Sequence, residues 1–133
     1  MSKVSPVRGV SFEEHVPVLA IGGGACGLTA ALKAHDAGAD VVVLERDAAP
    51  AGSTAMSSGF VPAAGTRCQR AAGLSEPDSD AQLIGDIQAK SKGLSDARLV
   101  ELAVRTIAPT LDWLETTHGL EWLVLDDFLY PGH

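Results

Sequence analysis

Residues 16–45 read VPVLAIGGGACGLTAALKAHDAGADVVVLE, and the order of apolar, glycine and acidic positions in this stretch decides the fold. Val16 to Ile21 is a short continuous apolar run, the pattern of a strand buried on both faces of a parallel sheet. Three glycines follow at once. Ala25 to Gly38 reads as a helix: Leu28 and Leu32 stand four apart, the alanines permit close packing, and Gly38 supplies a left-handed stop. Asp40 to Glu45 is a second strand, apolar until its acidic end. Strand, glycine turn, helix and strand in this order open a βαβ unit, and right-handed crossover geometry makes the two strands parallel.

The turn itself, Gly22-Gly23-Gly24-Ala25-Cys26-Gly27, satisfies G-x-G-x-x-G. Each glycine has its own reason: Gly22 permits the tight turn, Gly24 lets the backbone approach a pyrophosphate, and Gly27 lets the helix lie close to the strand. Phosphates would sit against the N-terminal amides of the helix, where orphan N–H groups and the positive end of the dipole converge. Glu45 ends the second strand, where a carboxylate accepts ribose hydroxyls and repels a ribose 2′-phosphate. On these residues the dinucleotide is NAD or FAD.

Outward from this unit the pattern changes. Arg46 to Arg70 loses periodicity and is rich in Gly, Ser, Ala and Pro; so long an irregular stretch inside a compact domain is a functional loop, a disordered segment or a misread pattern. The turn-rich Glu76 to Asp80 caps a helix from about Asp80 to Lys92, and Ser95 caps another whose Leu99, Leu102, Ala103 and Ile107 have helical spacing. Pro109 opens a third short helix, with Leu111, Trp113 and Leu114 apolar and Gly119 as its stop. The last segment, from Leu120, begins like a strand. The organisation expected is a lead at 1–15, a nucleotide-binding βαβ and loop at 16–70, and a helical segment at 71–133 that starts a substrate-side region.

The stretch VLAIGGGACGLTAALKAHDAGADVVVLERDAAPAGSTAMSSG, with the helix-rich part and WLETTHGLEW beyond it, resembles the amino-terminal part of the fumarate reductase/succinate dehydrogenase flavoprotein superfamily, which includes 3-ketosteroid dehydrogenases and tricarballylate dehydrogenase-like enzymes. The resemblance implies an α/β, Rossmann-like FAD-binding domain and hydride transfer between flavin N5 and an activated C–C or C=C bond of a small organic acid or ketosteroid-like substrate. It also implies that the loop returns to the cofactor through a pattern like GG-x-S and S-G-G, matched here by Ala51-Gly52-Ser53-Thr54 and Ser58-Gly59-Phe60. Ala51 and Phe60 stand where glycines are usual. Ser53 and Thr54 are then expected near the pyrophosphate, and Ser58 and Gly59 along the isoalloxazine. The full cofactor-binding set is Gly22, Gly24, Ala25, Cys26, Gly27, Glu45, Arg46, Gly52, Ser53, Thr54, Ser58 and Gly59. The other readings are an NAD-dependent dehydrogenase on a shorter Rossmann domain and a non-catalytic nucleotide-binding subunit.

Other residues carry plainer expectations. Cys26 is read as a small buried residue against the strand. His35 and His118 lie late in helices, where the dipole favours a cation, and the four histidines lack metal-ligand spacing. Trp113 and Trp122 are core or interface residues, since no basic groove accompanies them. The formal charge of -7 is uneven: six basic and six acidic residues lie in Met1–Arg70, four and eleven in Ala71–His133, which disfavours nucleic acid and anionic membranes as partners. Cys26 and Cys68 make no disulfide framework. The opening MSKVSPVRGVSFEEH mixes both charge signs before any apolar run, and the expected location is cytoplasmic.

A flavoprotein of this superfamily needs the rest of its sheet and a substrate domain, and 133 residues supply about one domain. No proton donor or substrate-anchoring arginine of that family has a matching position here, so no catalytic residue and no metal ligand is assigned. The expectation is the amino-terminal chain of a split flavoprotein, ending at Tyr130-Pro131-Gly132-His133 and completed by a second, longer polypeptide.

Overall fold

In the computed structural model, which describes residues 9–12, 14–74 and 78–125, β1 (Val18–Ile21) and β2 (Val41–Leu44) form a two-stranded parallel sheet. Their register pairs Val18 with Val41 and Ile21 with Leu44. Between them α1 (Ala25–Asp36) packs on both strands, completing the expected βαβ unit. Gly38, at φ +83°, ends the helix as its position predicts, and its N–H donates to His35 O at 2.8 Å while that of Ala37 reaches Lys33 O.

One expectation for these strands is corrected. Ala20 and Ala31 are buried, but Leu19, Ile21 and Leu44 are exposed, Ile21 at 81%. A single helix covers a single face of a pleated sheet, so among the described residues of this unit the alternate positions stay open. Cys26 is likewise exposed rather than buried against the strand. Beyond β2 the chain stays exposed from Leu44 to Pro62 and holds one short helix, α2 (Ser53–Met56).

The chain divides into two compact units, Met1–Phe60 and Val61–His133. In the second, α3 (Arg67–Ala71) lies in the stretch read as irregular. Its start is fixed by a capping box in which the Gln69 N–H donates to Thr66 Oγ1 and the Thr66 N–H donates to Gln69 Oε1. α4 (Asp80–Lys90) begins at Ser79, whose hydroxyl accepts the Gln82 N–H. α5 (Ala97–His118) is capped by Asp96, not Ser95, through the N–H groups of Arg98 and Leu99.

α5 runs unbroken through Pro109, where a new helix was expected. A proline removes one i→i−4 bond and crowds the carbonyl a turn earlier. The helix continues because Val100, Val104, Ala108 and Leu111 bury one stripe on both sides of it, while the proline itself is exposed. The buried stripe also differs from the expected one: Leu99 and Leu102 are 65% and 60% exposed. Ala64, Leu83, Val100 and Val104 form the core, with Ile84 and Ile87 against it. Asp112 ties α3 to α5 by accepting the Arg67 N–H at 2.9 Å and pairing with Arg70. Trp122, half-buried, donates from Nε1 to Leu111 O at 3.0 Å. Gly119, at φ +70°, stops α5 as expected. Leu120–Leu125 form no strand, and the remainder of that segment, to Tyr130–His133, lies outside the described residues. Among the described residues no helix is long and apolar enough to cross a membrane.

Candidate dinucleotide-binding site

The glycine turn connects β1 to α1, and its conformation is set by sterics that differ at each position. Gly22 adopts φ +103°, a conformation that favours glycine, and its N–H donates to Leu44 O at 2.7 Å, closing the turn against the end of β2. At Gly27 a Cβ would stand 2.0 Å from Gly22 O, so only a glycine lets the first turn of α1 press on the turn below it. Those two roles are as the fingerprint predicts.

Gly23, the variable position of the fingerprint, has a role that the motif does not reveal. A Cβ there would meet Glu45 Oε2 at 2.9 Å and Pro50 Cγ at 3.2 Å. The chain after β2 folds back over the turn, and the Gly23 N–H donates to Glu45 Oε2 at 2.7 Å. Glu45 Oε1 accepts the Asp47 N–H at 3.1 Å. These two amides, Gly23 first, hold the Glu45 carboxyl below the ordinary carboxylate range despite its exposure. Thr54 makes the second return, its Oγ1 accepting the Ala25 N–H at 3.0 Å.

Three N–H groups at the start of α1, those of Gly24, Cys26 and Gly27, then remain without an acceptor in the helix, since the first internal bond is Leu28 N–H to Gly24 O. A Cβ on Gly24 would meet only Thr54 Oγ1, at 3.4 Å, so this side of the turn is open. No acidic side chain occupies the first turn of α1. An open glycine surface beside free amides, at the positive end of a helix and without a competing carboxylate, fits a pyrophosphate.

The structure therefore brings together Gly22, Gly24, Ala25, Cys26, Gly27, Glu45 and Thr54. Arg46 instead pairs with its neighbour Asp47, from Nη2 at 2.9 Å and Nε at 3.2 Å. Gly52 caps α2 and Ser53 opens it. Gly59, at φ +77°, donates its N–H to Ser57 Oγ, and among the described residues no hydrogen bond ties Ser58 or Gly59 to the glycine turn. Gly23, Asp47 and Pro50 escaped the sequence reading, because their roles depend on a return of the chain that no local pattern encodes. Among the described residues no cluster of His, Cys, Asp and Glu could hold a metal ion.

Comparison with known proteins gives this geometry a context. Residues 17–127 match the model of the FAD binding domain family. A 4-oxocyclohexanecarboxylate 2-dehydrogenase of Sinomonas cyclohexanicum is 37% identical over 111 residues, which cover 84% of this chain and 19% of that protein. An acrylate reductase flavoprotein subunit of Shewanella woodyi is 35% identical over 110 residues, covering 79% and 21%. A probable fumarate reductase of Shewanella frigidimarina is 31% identical over 114 residues, covering 86% and 19%. The chain spans about a fifth of the length of the curated relatives it matches.

Proposed function

The chain belongs to the FAD binding domain family, and on that premise we propose that it is the dinucleotide-holding part of an oxidoreductase that moves hydride between flavin N5 and an activated C–C or C=C bond. FAD is the cofactor, which decides between the two dinucleotides that the fingerprint allows. The observation that carries the reading is a glycine turn pinned by Glu45 and Thr54, with the amides of Gly24, Cys26 and Gly27 left without a hydrogen-bond acceptor among the described residues.

When bound, FAD supplies the hydride chemistry, and the protein supplies orientation and electrostatics. In this reading Gly24, Cys26 and Gly27 donate to the pyrophosphate. Glu45 keeps acceptor capacity for ribose hydroxyls after taking the two amides, because a carboxylate has about four lone-pair directions. Ser53 lies beside the phosphates, and Ser58 and Gly59 form a wall small enough for a flat ring to approach. Arg46, held by Asp47, keeps its positive charge at the rim of the site.

The substrate class proposed is a small organic acid or a ketosteroid-like ketone. The relatives' names support it: fumarate and acrylate each carry a C=C bond beside a carboxylate, and the third relative is named for a 2-dehydrogenation beside a ketone. The proton donor and the substrate anchors are proposed to lie on a second, longer polypeptide. Flavin absorbance should accompany the purified protein and be lost with Gly24→Val or Glu45→Arg. Anaerobic reduction followed by addition of enoates or 3-ketosteroids should reoxidise the flavin; failure with every unsaturated acceptor would contradict the oxidoreductase reading. Intact mass of the assembly should show a second chain, and a single covalent polypeptide would contradict the split.

A further inference from the structure

The bond from the Ala25 N–H to Thr54 Oγ1 joins two segments 29 positions apart in the chain, and it is the start of a longer connection. The Thr54 carbonyl accepts from both the Ser57 N–H, at 3.2 Å, and the Ser57 hydroxyl, at 2.9 Å. Ser57 Oγ in turn accepts the Gly59 N–H at 3.2 Å. Hydrogen bonds on either side of Thr54, joined through its own covalent frame, therefore connect the first turn of α1 with Ser57 and Gly59. Every residue from Ala51 to Phe60 is exposed.

The Thr54 hydroxyl has used its oxygen as an acceptor and keeps its hydrogen to donate. An anion on the free amides of α1 is the strongest acceptor such a hydroxyl can meet, since hydrogen bonds to charged oxygens are about twice as strong as neutral ones. Gly24 leaves no side chain between Thr54 and the turn.

We propose that Thr54 is a positioning residue that couples occupancy of the pyrophosphate subsite to the placement of Ser57–Gly59, so that the phosphates of the dinucleotide set the wall facing the ring. The inference rests on the FAD reading and deepens it by assigning the loop's order to the phosphate end of the cofactor rather than to the flavin.

The test uses ADP, which carries the pyrophosphate and lacks the flavin, added at saturation to the flavin-free protein, with amide hydrogen exchange as the readout. In the wild type, ADP should slow exchange at residues 22–27 and also at 57–59, by about tenfold at the latter, the scale of one charge-assisted hydrogen bond. Thr54→Val, which keeps the shape and loses the hydroxyl, should weaken ADP binding and, with ADP raised to saturate the variant, lose the added protection at 57–59; Thr54→Ser should restore both the affinity and the protection. Protection confined to 22–27 in the wild type, or undiminished at 57–59 in Thr54→Val, would overturn the coupling and leave the dinucleotide site standing. Protection at neither segment would overturn the dinucleotide reading and the coupling with it.

Discussion

Leu83, Val100, Val104, Ala108 and Leu111 are buried in the helical unit, whereas the glycine-turn unit buries Ala20 and Ala31 alone among its described apolar residues. The first is held by side-chain volume, in which helices α4 and α5 meet over Leu83 and Val100. The second is held by backbone: Gly22 bonds Leu44, Gly23 bonds Glu45, and Ala25 bonds Thr54. The contrast follows from what each unit must do. A core excludes everything, but a phosphate site has to keep amides open, so its shape is fixed by missing side chains and by carboxylate and hydroxyl groups that return from later in the chain.

If this contrast is right, mutations should separate by unit. Leu83→Ala, at a side chain 3% exposed, should produce the largest effect, a destabilisation of about 3 kcal/mol from lost transfer energy and the cavity left behind. Urea unfolding followed by the fluorescence of Trp113 and Trp122 would measure it, with FAD affinity per folded molecule unchanged. Gly27→Ala should do the reverse. Its added carbon meets the backbone oxygen of Gly22, which cannot rotate away, so a cost of about 2 kcal/mol is expected in the turn. Flavin content should fall while the tryptophan-reported transition stays in place. A common shift of both readouts in either variant would break the comparison.

Two smaller effects sharpen it. Thr66→Ala removes the hydroxyl that accepts the Gln69 N–H, one half of the capping box, and should cost the helical unit about 1 kcal/mol in the same urea assay. The smallest effect belongs to Glu45, an exposed carboxyl whose bond to Gly23 lowers its pKa. A depressed carboxylate contributes fully above its unfolded value and loses that contribution as pH falls through the folded one. Flavin release monitored by fluorescence should therefore increase on acidification below the ordinary carboxylate range in the wild type. Glu45→Gln should bind more weakly at neutral pH and lack this pH dependence.

The βαβ order was legible because each of its parts is local: an apolar run, three glycines, leucines four apart, and Gly38 at the stop. The G-x-G-x-x-G spacing encodes sterics directly, and so Gly22 and Gly27 could be assigned roles before any coordinates. Pro109 was misread because its local preference, to open a helix, yields to a buried stripe that continues on both sides of it. The choice between Leu99 with Leu102 and Val100 with Val104 was not decidable from spacing, since both pairs lie on apolar helical faces and only the packing of α4 selects one. α3 could have been found, for Thr66-Arg67-Cys68-Gln69 is a capping-box pattern. The clasp of Glu45 and Pro50 over Gly23 could not, because it joins residues more than twenty positions apart through a loop without periodicity.

The central claim is that the open side of this glycine turn receives FAD. Equilibrium titration of flavin-free protein with FAD, in the wild type and in Gly24→Val, tests it most directly. The account predicts equimolar binding in the wild type, competition by ADP, and loss of binding in Gly24→Val with the tryptophan-reported unfolding of the helical unit unchanged. Undiminished FAD binding in Gly24→Val, or binding of NAD in place of FAD by the wild type, would contradict it.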